Sequence, residues 1–189
     1  NDVLPYFLKA ENQEHGSSEF HNGHGPLSVS DQRIRLDILD EFMNAAEEMG
    51  IPKVNDFNKG DNFGCGYFQV TVKNGLRCSA SVAYLNPIKK RNNLKIEVNA
   101  HVKNIDFEKK KATGISYWKN NNLIKVKAKK EVILSAGSIG SPHILQVSGI
   151  GDSSKLKKFG INIVHNSLSV GKNLQDHLMM RPVYKVKNI

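Results

Sequence analysis

The chain has 189 residues, 39% of them hydrophobic and 24% charged. That is the balance of a chain able to bury a core, and no apolar run approaches the roughly 20 residues that a membrane-spanning helix needs. The formal net charge of +9 raises nucleic acid or an anionic membrane surface as partners. The basic residues, however, alternate with apolar ones instead of clustering with aromatics, which favours solvated lysines. Cys65 and Cys78, the only cysteines, match no zinc spacing and no disulfide framework, so free thiols are expected.

In chain order, residues 1–12 read as helical and Glu14 to His24 as a polar, Gly-rich loop. Leu27 and Val29 flank Ser28 in a short strand. From Asp31 to Met49 the apolar residues Ile34, Ile38, Leu39, Phe42, Ala45, Ala46 and Met49 mark one face of an amphipathic helix,. Gly50 and Pro52 end it. Asn55 to Gly66 is a loop. Tyr67 to Val72 alternates towards a strand closed by the Asn74-Gly75 turn signal,. Ser79 opens a short helix through Ala83, Tyr84 and Leu85.

The next block reads as an antiparallel meander with one wet face. Leu94, Ile96 and Val98 form a first strand, and Val102, Ile105 and Phe107 lead to a charged turn at Glu108 to Lys111. Ile115 and Tyr117 lie in a strand ending at Asn120 to Asn122, and Ile124, Val126 and Ala128 alternate with lysines. Val132 to Leu134, an unbroken apolar run, suits a strand buried on both sides. Ser135, Ala136 and Gly137 follow, and small residues at the end of a parallel strand let a ligand come close. Ser141 reads as the N-cap and Pro142 as the first position of the next helix, with Gly149 as its left-handed stop. A helix through Leu156 and a strand at Ile161 to Val164 close the unit. Val183 to Lys187 starts another strand.

The stretch from Gly137 to Gly151 also resembles a signature of the glucose–methanol–choline (GMC) flavin oxidoreductases. It carries Gly137-Ser138, Ser141-Pro142, Ile144-Leu145 and Ser148-Gly149-Ile150-Gly151 at the signature spacing. Other segments resemble the family in family order. They are Asp2 to Phe7 with Lys9 to Asn12, then Gly25 to Val29. Asn74-Gly75, Arg77, Ser79 and Ala83 to Leu85 come next, followed by Val170-Gly171 with Asn173 to His177. The choline dehydrogenase-like branch is the nearest in pattern.

The resemblance implies a mixed α/β fold: part of an FAD-binding Rossmann-like domain with its β-meander, plus the start of a substrate-binding domain. It implies substrate-domain character for 26–75, FAD-domain character for 76–165, and a return to the substrate domain over 166–189. It further implies an internal segment of a longer enzyme that oxidises a CH–OH donor such as choline. The sequence has no Gly-x-Gly-x-x-Gly loop,, and the resemblance places no catalytic residue in this chain. Its implied FAD contacts are Val102, through main-chain hydrogen bonds to adenine, and Ala136 and Gly137, beside the adenosine half.

The implied partners are a small-molecule alcohol and an unspecified electron acceptor, without nucleic acid. The implied location is cytoplasmic, with peripheral contact at the inner face of a membrane left open. The rival readings are a non-catalytic interaction protein derived from such an enzyme, and a basic nucleic-acid-binding domain. His177 beside Asp176 could form an acid/base pair, but structural hydrogen bonding is the favoured role. His21 and His24 lack a third metal ligand, His143 reads as a surface side chain, and Arg77 suits either an anion or a salt bridge.

Overall fold

A computed structural model of the chain describes residues 2–185. They fall into two compact units, one holding the residues up to Ile96 together with Lys185, the other Glu97–Tyr184.

The first unit begins with α1 (Leu4–Ala10), which carries Pro5 in its first turn, where a missing N–H costs nothing,. It ends where Glu11 becomes extended. Residues 11 and 12 were expected to stay helical. Instead β1 (Glu11–Gln13) pairs in parallel with β2 (Leu27–Val29), because a long-range ladder satisfies the backbone that the helix would have used. Gly25 makes this close approach possible. Its N–H donates to Glu11 O at 2.7 Å, and a Cβ there would lie 2.3 Å from the same oxygen.

Helix α2 (Asp37–Glu48) starts six residues later than its periodicity predicts. Asp31 is held instead by His15 and Gln69, and Leu36 remains extended. Asp37 and Asp40 then place negative charge at the N-terminus, where the helix dipole favours it,. At the other end Gly50, at φ 84°, donates to Glu47 O, and Ile51 donates to Ala46 O. That is a Schellman stop. Of the apolar face expected to be core, Ala46 is buried while Phe42 and Met49 are exposed.

Strands β3 (Val72–Lys73) and β4 (Leu76–Arg77) form a hairpin around Asn74 and Gly75. Both turn residues have positive φ, as a type I′ turn demands. The longer strand expected from Tyr67 is reduced to β3 and a single bridge between Val70 and Ser30. Ser79 Oγ accepts the Val82 N–H and opens one wide turn over Ser81–Leu85, closed from Asn86 N–H to Ser81 O. Ala83 within this turn and Cys78 just before it are buried. Both cysteines are free.

The second unit is built on the expected meander, β5 (His101–Glu108), β6 (Lys111–Lys119) and β7 (Asn122–Lys127), all antiparallel in the order β5-β6-β7. Asn120 and Asn121 supply the two positive φ values of the β6–β7 turn. Gly114 allows β7 to lie close, since a Cβ there would meet Val126 O at 2.1 Å. Lys125 and Lys127 are exposed, as solvated lysines should be. The strand predicted at Leu94 to Val98 is not formed among the described residues; Glu97 instead forms an ion pair with Lys119 of β6.

The buried strand expected at Val132 to Leu134 is also not formed, and Ile133 is 78% exposed. An extended segment becomes a strand only when a neighbour takes up its N–H and C=O groups, and no described segment does so. Helix α3 (Gly137–Val147) follows directly. It therefore starts four residues before the expected cap at Ser141, and Pro142 lies inside it. Ser141 Oγ reaches back to accept the Ala136 N–H at 3.0 Å, so it serves the helix start from within.

Gly149, at φ 90°, stops α3 as expected. Asp152 caps α4 (Ser153–Lys158) by accepting from Ser154 N–H at 3.0 Å. The closing strand is displaced from 161–164 to β9 (His165–Asn166), in parallel with β8 (Ile150–Gly151). Ile105, Tyr117 and Leu156 form the buried apolar centre of this unit. Residues 183–185 pair with no strand, and the rest of the strand expected at 183–187 lies outside the described residues.

Candidate functional site

In the second unit the chain is locally shaped for close approach at the start of α3. Ala136 caps the helix at φ −90° and ψ 14°. Gly137 turns the chain with φ 79°, and a Cβ built there meets nothing within 4 Å. The glycine is thus required by backbone conformation, while the space beside it is free of this chain's own atoms. Both residues are exposed.

Helix α3 is tied to the meander at its far end. Ile105 N–H, on β5, donates to Ser148 Oγ at 2.8 Å, and that hydroxyl donates to Ile144 O at 2.6 Å. Ser148 is only 7% exposed. Val102 lies three residues earlier on β5, half-buried, opposite Tyr117 and beside a register shift. Because β5 is an edge strand, one row of its main-chain donors and acceptors faces away from β6.

A second seam joins α3 to the segment that follows β9. Gln146 Nε2 donates to Val170 O at 3.1 Å. Gly171, at φ 77°, packs so closely that an added Cβ would lie 2.4 Å from Gln146 Nε2. Ser138, Ile139, Pro142 and Gln146 face Gly171 to Gln175 across a groove of about 610 Å³. Two motifs about 30 residues apart in the chain are thereby brought together by tertiary packing. Sequence reasoning missed both Ser148 and Gln146 as connectors. The available signal was the fixed Ser of Ser148-Gly149-Ile150-Gly151; Gln146 occupies a variable place and gave none.

The other sequence candidates resolve as follows. His177 does not use its ring on Asp176; its main-chain N–H donates to that carboxylate at 2.9 Å, and both residues are exposed. His143 is a surface side chain and Arg77 is exposed on β4. His24 is exposed, whereas His21 is buried with both ring nitrogens on carboxylates: Nδ1 to Glu11 at 2.9 Å and Nε2 to Asp56 at 2.8 Å. Its nitrogens are occupied, so it offers no metal ligand.

Glu14, His15 and Asp31 come near one another, but Asp31 is paired with His15, and Glu14 with Arg33. The cavity of about 660 Å³ in the first unit is lined largely by polar residues, several of which bond one another. Asp40 accepts from Tyr67 OH at 3.0 Å, and Lys53 Nζ donates to Asn44 at 2.7 Å.

A family model for GMC oxidoreductases matches residues 1–179. The chain belongs to the GMC oxidoreductase family. This GMC chain is 42% identical over 175 residues to the human protein named choline dehydrogenase, mitochondrial, covering 93% of the chain and 30% of that protein. It is 44% identical over 177 residues to an oxygen-dependent choline dehydrogenase of Vibrio vulnificus, covering 93% and 32%. Among solved structures, an FAD-dependent oxidoreductase from Chaetomium thermophilum superposes with a TM-score of 0.86 at 30% identity, over 93% of this chain and 33% of that one. Pyridoxine 4-oxidase from Mesorbium loti superposes with a TM-score of 0.88 at 26% identity, over 93% and 35%. The GMC chain thus spans about a third of the length of these relatives. Among the described residues, no helix is long and apolar enough to cross a membrane.

Ser148→Ala tests the seam between α3 and β5. Loss of the hydroxyl leaves the Ile105 N–H buried without a partner, a loss of about 1–3 kcal/mol. The denaturation midpoint should fall accordingly, and Ser148→Thr, which keeps the hydroxyl, should fall less. An unchanged midpoint in the alanine variant would remove Ser148 as a structural link.

Proposed function

We propose that this chain is part of an FAD-dependent alcohol dehydrogenase or oxidase that acts on the CH–OH group of a small donor, with choline as the leading candidate. The observation that carries the reading is Gly137, held at φ 79° with no atom of the chain within 4 Å of a built Cβ. A cofactor can approach the main chain there without displacing a side chain. The residues present fit an adenosine half-site. The open edge of β5 at Val102 offers main-chain donors and acceptors to a planar heterocycle, and Ala136-Gly137 offers an uncovered strand-to-helix turn.

When bound, the flavin supplies a hydride acceptor, and the protein's part is to orient and tune it. In this chain, Ser148 holds α3 on β5, and Gln146 holds the Val170 to Gln175 segment on α3. These bonds keep the half-site in one arrangement. The base that takes the hydroxyl proton is assigned to no residue of this chain. The electron acceptor is oxygen or a quinone-linked chain, and the location is cytoplasmic, with the exposed lysines available to an acidic membrane face.

The decisive experiment uses the full-length flavin-loaded protein. Anaerobic choline should bleach the oxidised flavin absorbance. If no CH–OH donor bleaches it, the alcohol-oxidising reading fails. By itself the chain should bind FAD only weakly, because its sequence has no glycine loop to set a pyrophosphate on a helix N-terminus,. Flavin fluorescence during titration checks this. Stoichiometric binding below about 1 μM, near −8 kcal/mol, would mean that the groups present suffice.

A further inference from the structure

The first unit contains a buried charge cluster that the cofactor half-site does not use. His21 is 8% exposed and bridges two carboxylates from separate segments, Glu11 on β1 and Asp56 in the loop that follows α2. Each carboxylate is also tied to backbone. Glu11 accepts the Asn22 N–H at 3.3 Å, and Asp56 accepts the Asn58 N–H at 2.8 Å. The ring sits at the wall of a cavity of about 540 Å³, whose apolar lining includes Phe7, Phe20, Leu27 and Phe57. Phe57 is carried on the same loop as Asp56 and packs on Phe68, with ring centroids 5.1 Å apart.

We propose that Glu11, His21 and Asp56 form a pH-sensitive clasp that holds residues 55–62 over this cavity while the imidazole is protonated and releases them when it is neutral. The imidazolium donates from both nitrogens and so satisfies both carboxylates. A neutral ring has one donor and one lone pair. One carboxylate must then face that lone pair in a largely dehydrated place, which costs more than it would in water. The charged groups facing the ring are Glu11 from β1 and Asp56 from the loop; from its own segment, Ser18 Oγ accepts the His21 main-chain N–H and the Asn22 N–H donates to Glu11.

Burial opposes the charged ring, but the hydrogen bonds and charges of the two carboxylates outweigh it and raise the His21 pKa. The sign follows. The closed form binds the proton more tightly than the open form does, so the clasp is complete below the ordinary histidine value of about 6.5. It weakens as pH rises through the elevated one.

The test is made on the 189-residue chain. The His21 ring signal is followed by NMR from about pH 5.5 to about pH 8.5, assigned by its loss in His21→Gln. Amide protection of residues 55–62 is measured over the same range, corrected for the intrinsic pH dependence of exchange. His21 should titrate above the ordinary value, and protection should fall by up to about tenfold per pH unit between the two values. Asp56→Asn should abolish that dependence, because its amide can accept from the imidazolium or donate to the neutral ring. This variant keeps the test decisive if His21→Gln does not fold. A His21 midpoint at or below the ordinary value overturns the proposal. So does loop protection that ignores that midpoint, or an Asp56→Asn variant that keeps the wild-type pH dependence.

Discussion

Gly149→Ala should destabilise the second unit by roughly 2–6 kcal/mol, combining the strain of a forbidden backbone region with overpacking. Gly149 holds φ at 90°, and a Cβ there would lie 2.2 Å from Asn162 O and 3.1 Å from Val164 N. These are backbone atoms and cannot swing aside as a side-chain end could. The same glycine's carbonyl accepts from Val164 N–H at 2.8 Å and His165 N–H at 3.1 Å. A shift large enough to relieve the contact would therefore disturb the bonds that lead into β9. Gly160→Ala is the control: its φ is 69°, but nothing lies within 4 Å of its built Cβ. It should suffer strain alone. Chemical denaturation followed by Trp118 fluorescence measures both. Equal losses would mean that the 162–164 segment yields freely and that the contact at Gly149 carries no weight.

In the full-length protein, on the proposed reading, Gly137→Val should lower flavin occupancy more than it lowers the yield of folded protein. Strain at a positive φ amounts to about 1–3 kcal/mol, which is roughly 5- to 150-fold in affinity where it falls on the bound state. In this chain the added Cβ would meet nothing within 4 Å, so a steric part of the effect would point to atoms outside this chain, the cofactor among them. Gly137→Asn separates the two contributions, because asparagine tolerates the left-handed region while still filling the space. Gly140→Ala, where a Cβ lies 3.1 Å from Ala136 Cβ, should be milder than either. Flavin absorbance per folded protein is the readout. Full occupancy in a well-folded Gly137→Val protein would reduce this glycine to a turn residue and remove Ala136 and Gly137 from the half-site.

Local signals were readable where the reason for a structure lies within a few residues. The meander over 101–127 follows from two-residue alternation, and its turns from Asn and charged residues that accept positive φ. Asn74-Gly75 made its hairpin, and Gly50 and Gly149 stopped their helices, because the left-handed region favours glycine and asparagine,. Val132 to Leu134 shows the opposite case. Its apolar run has the composition of a buried strand, but composition cannot supply the neighbouring ladder, and the segment stays unpaired. Ser141 is a similar lesson: its hydroxyl does serve the helix start, from inside the first turns, and a capping rule based on adjacency misplaced it.

The sequence by itself determined the family, because the signature from Gly137 to Gly151 depends on spacing and on glycine and proline positions, which survive without any knowledge of packing. It also pointed to Val102, Ala136 and Gly137 as candidates for cofactor contact. Only the tertiary structure decided that Ser148 joins α3 to β5 and that Gln146 docks the 170–175 segment. It alone turned His21 from an unremarkable loop histidine into the centre of a buried charge cluster. Each of these roles depends on a partner ten to about forty residues away, and hydrogen bonds over that span leave no period in the chain for a reader of sequence to detect.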